Sequence, residues 1–319
     1  MYLLNKFRNF ININPIARRL FVKIISPFTL PILILQNYLS INGYKQRKKI
    51  SLWRKSNPKN ILHYKNGIAF NISKNKTSVS KSLVFQSNYE FNETNLVKKV
   101  IKPGWTVIDV GANFGWYSIH FSQLVGQNGN VFSFEPIPKT YEELNLNINL
   151  NSCQNIKAFD FALGNKDETI SFGVPNFDGG SGTSSEFLKY SKRIQTTMRK
   201  LDDVIKEQKI NKVDFIKADI EGGELNMLKG AEKLLEYFRP KILIEIVDMH
   251  CQRFGHFPVD VYQFLINKGY KGLFIGNEYT HWVGNIQYTK EKANIKIDEL
   301  NKPNVKNLLN GNYFFSKIT

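Results

Sequence analysis

From Lys217 to Glu224 the chain reads K-A-D-I-E-G-G-E, so Asp219, Glu221 and Glu224 place three carboxylates within six residues. Carboxylates grouped in this way can take a proton, hold a cation or cap a helix start. Gly222 and Gly223 permit a sharp turn, and Glu224 stands where a helix opening favours an anion. Capping is the competing role for Glu221 and Glu224. A second group follows at Glu245, Asp248, His250 and His256. Its D-x-H spacing with a later histidine is open to a zinc or iron site, and equally to His250 acting as an auxiliary base. No residue is assigned to a metal. His63, His120 and His281 have no partner identifiable in sequence and read as surface or satisfied core histidines.

A third feature is a small-residue loop, Asp109-Val110-Gly111-Ala112-Asn113-Phe114-Gly115, directly after an apolar run and before a helical pattern. In a doubly wound sheet, ligands bind at the carboxyl ends of strands, where glycines let backbone approach closely. The spacing G-x-N-x-G lacks the third glycine of a dinucleotide fingerprint, which disfavours an NAD-dependent oxidoreductase, and no P-loop is present. The next apolar run, V-F-S-F, delivers Glu135 at its end, where a carboxylate can accept hydrogen bonds from both hydroxyls of a ribose. After a third run, Asp160 or the adjacent backbone near Ala162 can meet an adenine edge, with Phe161 or Ile137 against its face. Phe161 and Leu163 read equally well as core.

These residues need a scaffold that brings successive strand ends together. Apolar runs spaced by helical patterns predict strands at Thr106–Val110, Val131–Phe134, Ile156–Phe159, Asp214–Ala218, Ile242–Ile246, Gly272–Ile275 and Tyr313–Phe315. Helices are expected near Trp116–Val125, Tyr141–Leu150, Leu201–Glu207, Glu224–Tyr237 and Val259–Lys268, preceded by one rich in Leu96, Val97 and Val100 that stops at Pro103-Gly104. Runs such as V-I-D-V and I-L-I-E-I suit strands covered on both faces. The expected fold is α/β, a Rossmann-like doubly wound, mostly parallel seven-stranded sheet over residues 88–319. Residues 1–87 form a basic, partly apolar extension, with short strands near Ile68–Ile72 and Val79–Phe85. The Gly- and Ser-rich stretch from Asn176 to Ser185 reads as a lid over an acceptor pocket or as a plain surface loop.

Three segments taken together resemble FkbM-type methyltransferases in order and spacing: V-I-D-V-G-A-N-F-G-W-Y-S (Val107 to Ser118), F-E-P-I-P-K-T-Y-E-E-L-N-L-N (Phe134 to Asn147) and V-D-F-I-K-A-D-I-E-G-G-E-L-N-M-L-K-G-A (Val213 to Ala231). The resemblance runs from about Asn88 to Ile275 and includes Tyr89-Glu90. It implies a class I fold, S-adenosylmethionine as cofactor and O-methylation of a hydroxyl. Carried over, Asp109, Gly111, Asn113 and Gly115 would surround the methionine part, Glu135 the ribose, and Asp160 to Leu163 the adenine. An activated methyl leaves the enzyme to align the acceptor oxygen and remove its proton. The reading that follows has Asp219 facing the transferring methyl and cofactor amino group, Glu221 binding or deprotonating the acceptor, and His250 assisting.

Charge is unevenly distributed. Of 44 basic residues, 16 precede Glu90, the first acidic residue, leaving 28 against 27 acidic ones in the remainder. A basic arm suits anionic lipid, a phosphorylated substrate or nucleic acid. Within Phe21 to Leu39 the uninterrupted apolar stretch is much shorter than the ~20 residues a spanning helix needs, and Pro27 and Pro31 interrupt it further. Flanking Arg and Lys fit a segment lying in a membrane interface through residues 1–60, with a domain-docked hairpin as the alternative. Cys153 and Cys251 form no C-x-x-C pair, so a reducing cytoplasmic compartment, with peripheral membrane attachment, is expected. The acceptor expected is a small molecule or glycan with a free hydroxyl, such as a sugar or glycolipid. Two competing expectations are a nucleic-acid methyltransferase using the basic arm, which is disfavoured, and a non-catalytic Rossmann-like module.

Overall fold

The computed structural model describes residues 51, 53, 55–57, 59–64, 66–71, 83, 89–174, 192–275, 308 and 310–317. The chain divides into two units, residues 1–58 and 59–319. In the first, the Asn57 side-chain amide donates to the Trp53 carbonyl at 2.9 Å. The apolar segment Phe21–Leu39 and the Asn176–Ser185 stretch lie outside the described residues, as does His281. No described helix is long and apolar enough to cross a membrane.

The second unit begins with an antiparallel hairpin, β1 (Ile61–His63) and β2 (Ala69–Asn71). Helix α1 (Phe91–Val100) leads to β3 (Thr106–Val110), where five consecutive residues are buried, as a strand covered on both faces requires. Alternation continues through α2 (Trp116–Val125), β4 (Asn130–Phe134), α3 (Pro138–Leu150) and β5 (Ile156–Phe159). A small sheet follows: β6 (Ala162–Leu163), β7 (Glu168–Val174) and β8 (Lys192–Arg199), in order β6-β8-β7. The remaining elements are α4 (Leu201–Glu207), β9 (Phe215–Ala218), α5 (Glu224–Lys229), α6 (Glu232–Tyr237), β10 (Lys241–Ile246), α7 (Asp248–Arg253), α8 (Pro258–Asn267), β11 (Tyr270–Ile275) and β12 (Gly311–Lys317).

The main sheet has seven strands in the order β11-β12-β10-β9-β3-β4-β5. All neighbours are parallel except β12, which runs antiparallel to both β10 and β11. The chain winds outward from β3 through β4 to β5, then returns to β9 and β10 on the other side. The reversal leaves a crevice between the carboxyl ends of β3 and β9, the place where such sheets bind ligands. Core side chains from β3, β9 and β10, including Ile108, Ile216 and Ile244, have no exposure. Burial of each contributes about 1.5–3 kcal/mol.

All seven expected strands of the main sheet are present, within two residues at each end in most cases. Three expectations need correction. The single helix expected over Glu224–Tyr237 is two helices, because a Cβ on Gly230 would lie 1.8 Å from the Gly164 carbonyl oxygen. That close backbone approach breaks the helix, and Asp202 restarts it by accepting the Lys233 and Leu234 N–H groups at 3.0 and 2.9 Å. Residues 248–253, which are not among the expected helices, form one. Leu83, expected in a strand, is helical and buried; the other residues from Val79 to Phe85 lie outside the described set.

Candidate active site

The loop after β3 is shaped by left-handed residues. Gly111, Asn113 and Gly115 have φ of 76°, 51° and 98°. Gly111 has a specific reason to be glycine: an added Cβ would lie 2.1 Å from the Asp219 carbonyl oxygen. The loops after β3 and β9 therefore touch backbone to backbone, tied by the Asp219 N–H to the Val110 carbonyl at 3.1 Å. The Gly111 and Ala112 N–H groups both donate to the Phe134 carbonyl at 3.0 Å, drawing in the end of β4.

Glu135, at that end, is almost completely buried. Its Oε2 accepts the Asn113 N–H and its Oε1 the Ile137 N–H, both at 3.0 Å. Each oxygen retains lone-pair capacity for a hydroxyl donor. Burial raises its pKa to about 7, against the opposing pull of those two N–H groups. Because two donating hydroxyls favour the ionised form, affinity for S-adenosylhomocysteine should be flat above about pH 8. It should then weaken toward tenfold per unit as pH falls below 7. Calorimetric titration from pH 6 to 8.5 reads this directly. An unchanged slope in Glu135→Gln would assign the proton to another group.

Asp109 is wholly buried on β3. Its Oδ2 accepts the Ser118 hydroxyl at 2.6 Å, and its Oδ1 has no hydrogen-bond partner. Lys217 lies beside it in the β3–β9 register. The Lys217 ammonium is 3.3 Å from Asp219 Oδ2 and 4.8 Å from the Tyr117 ring centroid. Tyr117 in turn donates to Glu90 Oε2 at 2.6 Å. Burial disfavours the charged lysine, but Asp219, Asp109 and Glu90 outweigh it and hold Lys217 protonated. Burial also lifts Glu90 to about 7.

Across the crevice the turn after β9 presents Glu221 in the left-handed region, φ 56°, with its carboxylate 2.8 Å from His250 Nε2. Gly222 makes this possible, since a Cβ there would meet the His250 carbonyl oxygen at 2.3 Å. On the other side of the ring, Glu245 Oε2 lies 3.9 Å from His250 Nδ1. Burial, then the carboxylates of Asp219, Glu221 and Glu90, hold Glu245 well above the usual carboxylate range. Glu224 plays a different part. Buried, it turns back to accept the Ile220 N–H at 2.9 Å and closes the turn.

The structure thus brings Asp219, Glu221 and His250 to one crevice with Gly111 and Glu135. Asp160 is exposed at the end of β5, and Ala162 is half-buried in β6 beside Met198. Phe161 belongs to an aromatic group with Phe134 and Phe159, at 5.6 and 5.4 Å between centroids. Asp248 accepts from Gln252 within α7, while buried His256 Nε2 has no partner. Among the described residues no three His, Cys, Asp or Glu side chains are grouped to hold a metal ion. His120 is a core histidine, bonded to the Trp116 carbonyl at 2.8 Å and kept neutral by burial, with a pKa of about 4. Glu90, Tyr117 and Lys217 carry no sequence signal of function by themselves; the proximity of Lys217 to Asp219 two positions on is the one hint.

Residues 109–271 match the methyltransferase FkbM domain. The chain belongs to the FkbM methyltransferase family. Methyltransferase sdnD of Sordaria araneosa is 26% identical over 157 residues, covering 40% of this chain and 60% of the relative. The hexuronic acid methyltransferase AglP of Haloferax volcanii is 29% identical over 157 residues, covering 49% and 59%. The 2-O-methyltransferase NoeI of Sinorhizobium fredii is 24% identical over 155 residues, covering 44% and 63%. The chain spans about three-fifths of the length of these curated relatives. A solved FkbM methyltransferase from Methylobacillus flagellatus aligns with a TM-score of 0.40 and 15% identity over 74% of this chain and 54% of that one.

The cofactor of this FkbM domain is S-adenosylmethionine, and the residues present fit it. At the end of β9, Asp219 offers a carboxylate suited to a molecule bearing a sulfonium and an ammonium. Glu135, with one N–H accepted on each oxygen, keeps the acceptor capacity that a ribose diol needs. Asp109, expected beside the methionine part, is fully buried and has no surface on which to meet a ligand directly.

Proposed function

We propose that this FkbM methyltransferase methylates a hydroxyl oxygen on a sugar, glycolipid or related small acceptor. The observation that carries the reading is the Glu221–His250 pair at 2.8 Å beside Asp219, above the crevice. S-adenosylmethionine supplies an activated methyl, so the chain's own work is to align an oxygen and dispose of its proton. Glu221 receives that proton from the acceptor, and His250, bonded behind it, shares the charge. Asp219, held by Lys217, faces the donor end. Val110, Ala218 and Phe134, at the ends of β3, β9 and β4, belong to the buried apolar core.

The activities for which AglP and NoeI are named, hexuronic acid methylation and 2-O-methylation, support a sugar acceptor. Residues 1–60 we assign to an anionic membrane surface on charge and patterning. The full chain should sediment with anionic vesicles in low salt and not with zwitterionic ones.

The test is to incubate the purified chain with methyl-labelled cofactor and fractionated cell extract. Label is expected in a glycan or glycolipid fraction, as an ether stable to base. Label in RNA, DNA or protein, or base-labile label, would overturn the proposal.

A further inference from the structure

The β1–β2 hairpin is joined to the catalytic fold by asparagine side chains that take the place of a missing strand. At the C-cap of α3, Asn151 Oδ1 accepts the Ala69 N–H at 2.8 Å, and its side-chain amide donates to the Ala69 carbonyl at 2.7 Å. One turn earlier, Asn147 Oδ1 accepts the Asn71 N–H at 2.7 Å. The Asn147 amide also points the other way: its Nδ2 donates to the Phe114 carbonyl at 2.7 Å. Asn147 and Phe114 are both buried, so losing the bond between them leaves the Phe114 carbonyl without water to replace it.

Phe114 is the residue between Asn113 and Gly115, both left-handed, in the loop after β3. Its N–H donates to Asn113 Oδ1 at 2.8 Å. Asparagine side chains therefore hold this peptide region on two sides, in the loop whose Asn113 N–H is bonded to Glu135. The hairpin also packs against it. Phe70 of β2, without exposure, stacks on Trp116 at 5.2 Å and meets Phe114 edge-on at 5.5 Å.

We propose that Asn147 is a positioning residue for the cofactor, a single amide that sets both the seat of the β1–β2 hairpin and the shape of the cofactor loop. Asn151 makes the matching hairpin bonds, and its amide also donates to the Asn147 carbonyl at 2.7 Å, but it does not touch that loop. The two residues thus separate support of the hairpin from positioning of the cofactor.

Isothermal titration with S-adenosylhomocysteine distinguishes them. Both Asn147→Ala and Asn151→Ala should lower the melting temperature, because both release the hairpin. Asn147→Ala should weaken affinity by about tenfold, roughly 1.4 kcal/mol, while Asn151→Ala stays within about twofold. Equal losses in both variants, or none in Asn147→Ala, would overturn the proposal. A measurement on the unaltered chain guards against a variant that does not fold. Because coupling is reciprocal, S-adenosylhomocysteine should slow hydrogen exchange at the Asn71 amide as well as in Gly111–Gly115. Slowing confined to Gly111–Gly115 would overturn it equally. Neither readout needs an acceptor, so failure here is distinct from failure to methylate a hydroxyl.

Discussion

Glu221→Gln and His250→Ala should each lose about 10²–10⁴ of kcat, the usual contribution of a positioned base. Their 2.8 Å contact makes them one unit. The double variant should therefore be scarcely worse than either alone. Affinity for S-adenosylhomocysteine should change little, because neither residue is assigned to the ribose or the glycine loop. Single-turnover methyl transfer separates chemistry from product release. Rates within about threefold of the unaltered chain in both variants, far short of the loss of a base, would remove the pair from the mechanism and, with it, the main support for hydroxyl transfer.

Gly111→Ala is the second large effect expected, and it acts on fold and cofactor together. A left-handed alanine costs about 1–2 kcal/mol by itself. The new methyl also meets the Asp219 carbonyl oxygen at 2.1 Å, backbone that has no rotamer to escape into. Overpacking adds about 1–3 kcal/mol. Gly104 provides the control, since its φ is 77° but nothing lies within 4 Å of an added Cβ. Thermal denaturation should show Gly104→Ala lowered by a few degrees and Gly111→Ala by roughly twice as much or more. Only Gly111→Ala should lose S-adenosylhomocysteine binding. Equal melting temperatures with intact binding would mean that the loops after β3 and β9 part without cost.

Much of this site can be read from the order of residues, and for a physical reason. A strand buried on both faces needs an apolar run, so T-V-I-D-V, V-F-S-F and F-I-K-A declare themselves, and the residue after each run lands at the crevice. Glu135 and Asp219 are found that way. Glycine spacing places the turn after β3, although the reason for Gly111 is the Asp219 backbone as well as any ligand. What stays hidden depends on partners far away in sequence. Gly230 reads as a tolerable helix glycine until Gly164 is seen against it. Asn147 and Asn151 read as polar positions on an amphipathic helix, and their bonds to residues 71 and 69 have no local signature. Glu90 precedes a helix and reads as an N-cap, yet it makes no capping bond and turns to Tyr117 instead. His250 is legible as a candidate base, but the helix carrying it is only six residues and shows no periodicity.

The position of β12 has a consequence for biosynthesis. Residues 311–317 insert between β10 and β11, and Asn312 donates to buried Glu93, 3.1 Å away and at the other end of the domain's sequence. Until these residues are made, no other described strand pairs with β11 and one edge of β10 is bare. Such open strand edges are templates for aggregation, and the sheet closes only when β12 enters the gap.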